Sequence, residues 1–183
     1  SGTSTLQVGS TNTSTITLGV SGDTINVPSG VTIANSGTAT GFAANTPAFH
    51  VYESSSQTVS ANTYTKVTLN EELYDTNNNF ASDRFTPTTA GKYFIYGNIH
   101  LDGASYPTHL ETAIYKNGSI IARNFTAQSS ATVYGNKIIS TTVDMNGSSD
   151  YVELYGKLNY AAGNNYFVGG QKDKFFGGYK IIT

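Results

Sequence analysis

Residues 92–101 read Lys-Tyr-Phe-Ile-Tyr-Gly-Asn-Ile-His-Leu. Alternate positions separate into Tyr93, Ile95, Gly97, Ile99 and Leu101 on one side and Phe94, Tyr96, Asn98 and His100 on the other, which is the period of a β-strand. Both sets carry bulky apolar side chains. One set can fill the core between two sheets and the other then needs a second cover, but the spacing alone does not say which is which.

The same period continues on either side of this strand. Ala48 to Tyr52 and Tyr64 to Leu69 precede it. Leu110 to Lys116 and Ser119 to Asn124 flank Asn117-Gly118, the pair best able to take the positive φ angles of a two-residue hairpin turn. Val133 to Val143 and Tyr151 to Leu158 follow, linked through Asn146-Gly147, and Lys174 to Ile182 forms a last strand. About eight to ten strands at this spacing predict an all-β fold, a two-layer antiparallel jelly-roll sandwich over residues 42–183.

Composition agrees. The chain has 183 residues, 38% of them apolar and only 12% charged, with 13 Tyr and 9 Phe, and Ser, Thr and Asn make up roughly a third. Aromatic and β-branched residues favour pleated sheet, and so few charges leave little for the exposed face of helices. A net charge of -2 and a pI near 5.8 give no grip on nucleic acid or anionic lipid. No stretch approaches the ~18 apolar residues of a membrane-spanning helix, and no charged-then-apolar leader precedes the domain, so a soluble protein without membrane insertion is expected. With no Cys there is neither a disulfide nor a thiolate metal site. The chain opens on Ser1-Gly2 without Met, as a piece cut from a longer context would.

Residues 1–41 have a different texture. Short apolar couplets, Leu6 and Val8, Ile16, Leu18 and Val20, Ile25 and Val27, Val31 and Ile33, are separated by Gly, Ser, Thr and Asn. Nine aliphatic side chains fall well short of offsetting the entropy of ordering this many residues in one copy. Three copies wound about one axis would share a core, so this segment reads as a β-rich fibre stem, intertwined and trimeric, with Leu6, Val8, Ile16, Leu18, Ile25, Val27 and Ile33 at the interface. A flexible linker is the competing reading. Gly does not recur every third residue, which excludes collagen.

Five short motifs fall in a telling order: Pro47-Ala48-Phe49-His50-Val51; Phe85-Thr86-Pro87 leading through Gly91 to Tyr93-Phe94-Ile95-Tyr96; Tyr115-Lys116-Asn117-Gly118; Asp150-Tyr151-Val152-Glu153-Leu154; and Phe176-Gly177-Gly178-Tyr179. Together they resemble the globular head of complement first component, subunit q, a family that shares its jelly roll with tumour necrosis factor. The resemblance spans residues 47–183, with Gly177 standing where that family usually has a small polar residue. It implies a homotrimer. The bulky outward residues Phe94, Tyr96, Tyr151 and Tyr155 are the expected trimer contacts in the head.

A β-stem running into such a head, without disulfides, resembles tail-fibre, head-fibre and other appendage proteins of bacterial viruses. The expected function is attachment of a virion to a host cell surface through a glycan or other receptor, with upstream virion proteins held through the stem. A purely structural capsid-decorating or baseplate trimer is the alternative, and a secreted lectin-like or cytokine-like trimer is a third. Loops concentrate function. Tyr106 in the loop Gly103 to Pro107, and Tyr160, Asn164, Asn165 and Tyr166 before the last strand, are the candidate ligand-binding residues, with tyrosine faces suited to sugar rings and amides to hydroxyls.

Catalysis is not expected. His50, His100 and His109 show no pairing typical of a metal or acid-base site, although His109 shares a strand face with Glu111 and His100 is two residues from Asp102. No Gly-x-Ser-x-Gly elbow occurs, and Glu71, Glu72, Asp75, Asp83 and Asp144 all stand beside apparent turns. No cofactor is called for. A metal on the threefold axis, or calcium in the turns Asp75 to Asn79 and Asp144 to Asp150, is compatible with the residue types, as are ordinary surface turns.

Overall fold

In the computed structural model the described residues are 15–16, 21–32, 45–103, 109–127, 135–159 and 165–181. The chain forms two compact units, Ser1–Phe42 and Ala43–Thr183.

The second unit is all β. Its strands are β1 (Ala48–Tyr52), β2 (Gln57–Val59), β3 (Thr65–Lys66), β4 (Glu71–Asp75), β5 (Phe80–Ala81), β6 (Arg84–Phe85), β7 (Gly91–Gly103), β8 (His109–Lys116), β9 (Ser119–Ala127), β10 (Gly135–Met145), β11 (Val152–Asn159), β12 (Asn165–Phe167) and β13 (Lys174–Lys180). They build two antiparallel sheets. The seven-stranded sheet runs β2-β12-β7-β13-β1-β4, with β10 on the opposite edge of β7. The six-stranded sheet runs β5-β6-β11-β8-β9, with β3 also paired to β11.

Strand β7 organises the first sheet. One of its edges pairs with β10 from Gly91 to Leu101. The other pairs with β13 from Tyr93 to Ile99 and then with β12 from Leu101 to Gly103. Tyr93, Ile95, Ile99 and Leu101 are fully buried and face the second sheet, which leaves Phe94 and Tyr96 on the outer face.

The core is aromatic at its centre. Phe49 stacks on Phe85 with ring centroids 4.1 Å apart and on Phe80 at 5.5 Å, and meets Phe176 edge-on at 5.2 Å. Leu110, Ile114, Val152, Leu154 and Leu158 of the second sheet close over it. At its rim Lys174 is wholly buried and its Nζ donates to the Ser55 carbonyl at 2.7 Å. Burial lowers the pKa of this amine, against the raising fields of Glu53 and Asp83.

The expected hairpin is present: Asn117 and Gly118 take φ of 50° and 80° between β8 and β9. A second hairpin of the same kind joins β5 to β6 through Ser82 and Asp83, at φ of 53° and 58°. No glycine marks that turn. Its Asp83 carboxylate accepts the Leu69 N–H at 2.7 Å, a tie that only the folded chain supplies. Strands β2, β4, β5, β6 and β12 were likewise not expected. Where a six-residue strand was anticipated from Tyr64 to Leu69, only Thr65–Lys66 joins a ladder.

In the first unit the described residues hold turns at 21–22 and 29–30 and no strand. Ile16, Ile25, Val27 and Val31 are exposed. Among the described residues the alternation through Ile16, Ile25 and Val27 forms no ladder within one chain, where an isolated strand has nothing to satisfy its backbone groups. Leu6, Val8, Leu18, Val20 and Ile33 lie outside the described residues.

Replacing Phe49 by Ala removes the ring on which Phe80, Phe85 and Phe176 converge and should cost about 3–5 kcal/mol, read as a lowered denaturant midpoint with the m-value retained.

Candidate functional site

The two sheets pack face to face, so their outer faces point in opposite directions, and they differ in chemistry. On the seven-stranded sheet, cross-strand register sets the outer residues in rows. Tyr52, Phe175, Asn98 and Ile138 lie in one row; Tyr74, His50, Gly177, Tyr96 and Ser140 in the next; Ala48, Tyr179, Phe94 and Thr142 in the third. The central rows hold rings and hydroxyls and a single histidine.

Tyr96 reaches across strand β13 to place its hydroxyl 3.0 Å from His50 Nδ1. The intervening residue is Gly177, and the ring fills the space above it: a Cβ there would lie 2.4 Å from Tyr96 Cζ. The glycine that departs from the resembled family is therefore what allows this contact. Phe175 stacks on His50 at 5.3 Å, and Phe94 touches both Tyr96 and Tyr179 at 6.1 and 5.7 Å. Burial lowers the pKa of His50 below 6.5. Burial, with the neighbouring Tyr74 and Tyr179 hydroxyls, pushes Tyr96 well above the usual phenol range.

The outer face of the six-stranded sheet is built from charges and rings. Glu111 and Glu153, both almost wholly buried, each anchor a cluster. Tyr64 donates its hydroxyl to Glu111, which also meets Lys157 at 3.2 Å and Arg123 at 3.5 Å. Arg84 donates from Nε to Glu153 at 3.0 Å, with Nη2 at 2.9 Å, and Lys66 approaches the same carboxylate at 3.5 Å. Burial would raise the pKa of Glu111, but the hydrogen bonds from Tyr64 and Lys157 and the charges of Lys157 and Arg123 outweigh it and hold it low. Burial and the Glu111 bond push Tyr64 up to about 12. Tyr115 lies against Tyr155 at 4.0 Å and meets Tyr64 edge-on at 5.9 Å.

Of the expected trimer contacts, Phe94 and Tyr96 come together on the seven-stranded sheet. Tyr151 and Tyr155 stand on the opposite face, packed under Arg84 and against Tyr115. The strand alternation gave each strand two bulky faces without saying which would turn inward, and it could not tell which sheet each strand would join. Among the ligand candidates, Asn165 and Tyr166 are not loop residues: both belong to β12, paired to β2 and β7. Asn165 is 3% exposed, so its side chain presents nothing to a ligand. Tyr106, Tyr160 and Asn164 lie outside the described residues.

The histidines are dispersed. His100 Nδ1 meets Asp173 at 3.0 Å, His109 lies 3.6 Å from Glu111, and His50 is bound to Tyr96. The turns considered for calcium use their oxygens internally. Asp75 accepts the N–H groups of Asn77 and Phe80, Asn146 Oδ1 accepts three successive backbone N–H groups, and Asp150 pairs with Lys116 at 2.8 Å. Among the described residues no group of three or more His, Asp or Glu is placed to hold a metal ion.

No family model matches this chain, and no curated protein matches it. Solved structures do. Murine APRIL at pH 5.0 superposes with a TM-score of 0.56 at 12% identity, covering 73% of this chain and 98% of that one. Eiger TNF from S. frugiperda gives a TM-score of 0.57 at 11% identity, covering 74% and 92%. At such identities the likeness is one of fold: the described head is a tumour necrosis factor-like jelly roll.

The depressed pKa of His50 sets a sign. Between its folded value and 6.5 the unfolded chain binds the proton more readily, so stability contributed by neutral His50 is present above pH 6.5 and is lost as pH falls through the folded value. Gly177→Ala should displace Tyr96, return the His50 midpoint toward 6.5 in an NMR titration, and flatten this acid loss in pH-dependent denaturation.

Proposed function

We propose that the chain is the self-associating head and stem of an extracellular appendage, a trimeric fibre or virion-surface protein that attaches a bacterial virus to its host. The observation that carries the proposal is the outer face of the seven-stranded sheet. Aromatic rings occupy the two central rows and the third, Ile138 stands 65% exposed beside them, and the charged residues lie at the margins. Water covers such a face poorly, and aromatic-rich patches depleted in charge are the usual cores of protein interfaces.

A second copy is the occupant that the first unit also favours. Ile16, Ile25, Val27 and Val31 are exposed within one chain, and intertwined copies would give them a shared core. Association in the head and in the stem would reinforce each other, because each raises the effective concentration for the other. The number three comes from the jelly-roll resemblance.

With one face committed to self-association, the opposite face stays open to solvent and to a partner. The polar, ring-bearing outer face of the six-stranded sheet is suited to a sugar surface, where many weak contacts summed over several copies give firm attachment. In the described residues there is no helix long and apolar enough to cross a membrane.

Light scattering should return about three times the 19.4 kDa of one chain. Ile138→Lys, at an exposed position that leaves the core untouched, should lower that mass to a single chain without loss of the β signal in circular dichroism. Fluorescently labelled wild-type protein should stain host cells. A single-chain mass for folded wild-type protein would overturn the assembly, and particle-bound protein that leaves cells unstained would make the role structural.

A further inference from the structure

The outer face of the six-stranded sheet has a charge opposite in sign to that of the chain. Both arginines of the protein, Arg84 and Arg123, are on it, together with Lys66 and Lys157, in a chain of net charge -2. Its two carboxylates are nearly hidden: the side chains of Glu111 and Glu153 are 3% and 4% exposed, whereas those of Arg123 and Arg84 are 54% and 40% exposed. Solvent therefore meets the cations and not the anions that hold them.

Each guanidinium is also set on a ring. Arg84 lies 3.6 Å from the centroid of Tyr151, and Arg123 lies 5.7 Å from that of Phe125, which is itself half exposed. A buried carboxylate behind each arginine and a ring beneath it restrict the rotamers, so little entropy remains to be lost on binding. The pattern is thus two oriented guanidinium groups with apolar rings beside them, on a rigid sheet.

We infer that this face binds an acidic polysaccharide, one whose sugar rings carry carboxylates, with Arg84 and Arg123 taking the carboxylates and the half-exposed Phe125 ring taking a pyranose face. Planar guanidinium matches planar carboxylate, and ring stacking accepts the apolar face of a sugar. Charge complementarity argues for this occupant over a neutral glycan. The inference rests on the attachment role proposed above and names both the surface and the chemical class for it.

Polygalacturonate and dextran serve as charged and neutral probes in affinity electrophoresis of the full chain. Polygalacturonate should retard the protein, dextran should not, and the retardation should weaken as salt rises. Arg123→Gln is suited to folding normally, since Lys157 and Tyr64 still hold Glu111, and it should weaken polygalacturonate binding about tenfold, the usual worth of one charge-assisted contact. Lys92→Gln, which removes an equally exposed cation paired with Asp144 on the other sheet, should leave binding unchanged. No retardation by polygalacturonate, equal retardation by dextran, or equal losses in the two variants would overturn the inference. Host cells stained equally by wild type and Arg123→Gln would sink it while leaving the attachment role standing; absence of staining by either, with polygalacturonate binding intact, would sink that role alone.

Discussion

A strand in a two-layer sandwich can bury only every second side chain, and β7 has large apolar residues on both of its faces. Tyr93, Ile95, Ile99 and Leu101 take the core because β8 and β11 of the facing sheet supply Leu110, Ile114, Leu154 and Leu158 to meet them. Phe94 and Tyr96 are then left outside with Phe175, Tyr179 and Tyr74. The reading of this molecule as one member of an assembly follows from that division.

The two outer faces meet this constraint in different ways. On the seven-stranded sheet the rings pack on one another, and the absence of a side chain at Gly177 lets Tyr96 bridge to His50. Few ions stand there, so a second protein surface would displace water at little desolvation cost. On the six-stranded sheet the rings are threaded with ion pairs around two buried carboxylates. Breaking one such pair by removing a cation near Glu111 is tolerable only because others remain, whereas removing all of them would strand a buried charge. That face is costly to dehydrate and suited to a polar ligand.

Where the sequence reading and the structure part, the reasons are local. The β8–β9 hairpin was legible because Asn117-Gly118 is a strong turn signal, while the β5–β6 hairpin uses Ser82-Asp83, a pair without glycine whose Asp83 carboxylate is held by a distant backbone N–H. Strands β2 and β12 have three residues each, too few to display a period, and exist because β12 pairs with the end of β7 and β2 in turn pairs with β12. Asn165 resembled a loop amide for the same reason. Tyr151 and Tyr155, expected beside Phe94 and Tyr96, face outward from the other sheet because β11 pairs with β8 and not with β7.

The alternation of side chains along each segment, with its turn residues, was enough to establish an all-β sandwich and to sort each strand into two faces, because period-two burial is a property of the local chain; which face the core took was decided by the packing of one sheet on the other. Which outer residues became neighbours was settled by sheet order and register, since β1, β13 and β7 bring His50, Gly177 and Tyr96 into one row from three distant parts of the chain. The same long-range pairing gathered Arg84, Arg123, Glu111 and Glu153 onto one face, and no spacing in the sequence carries that information.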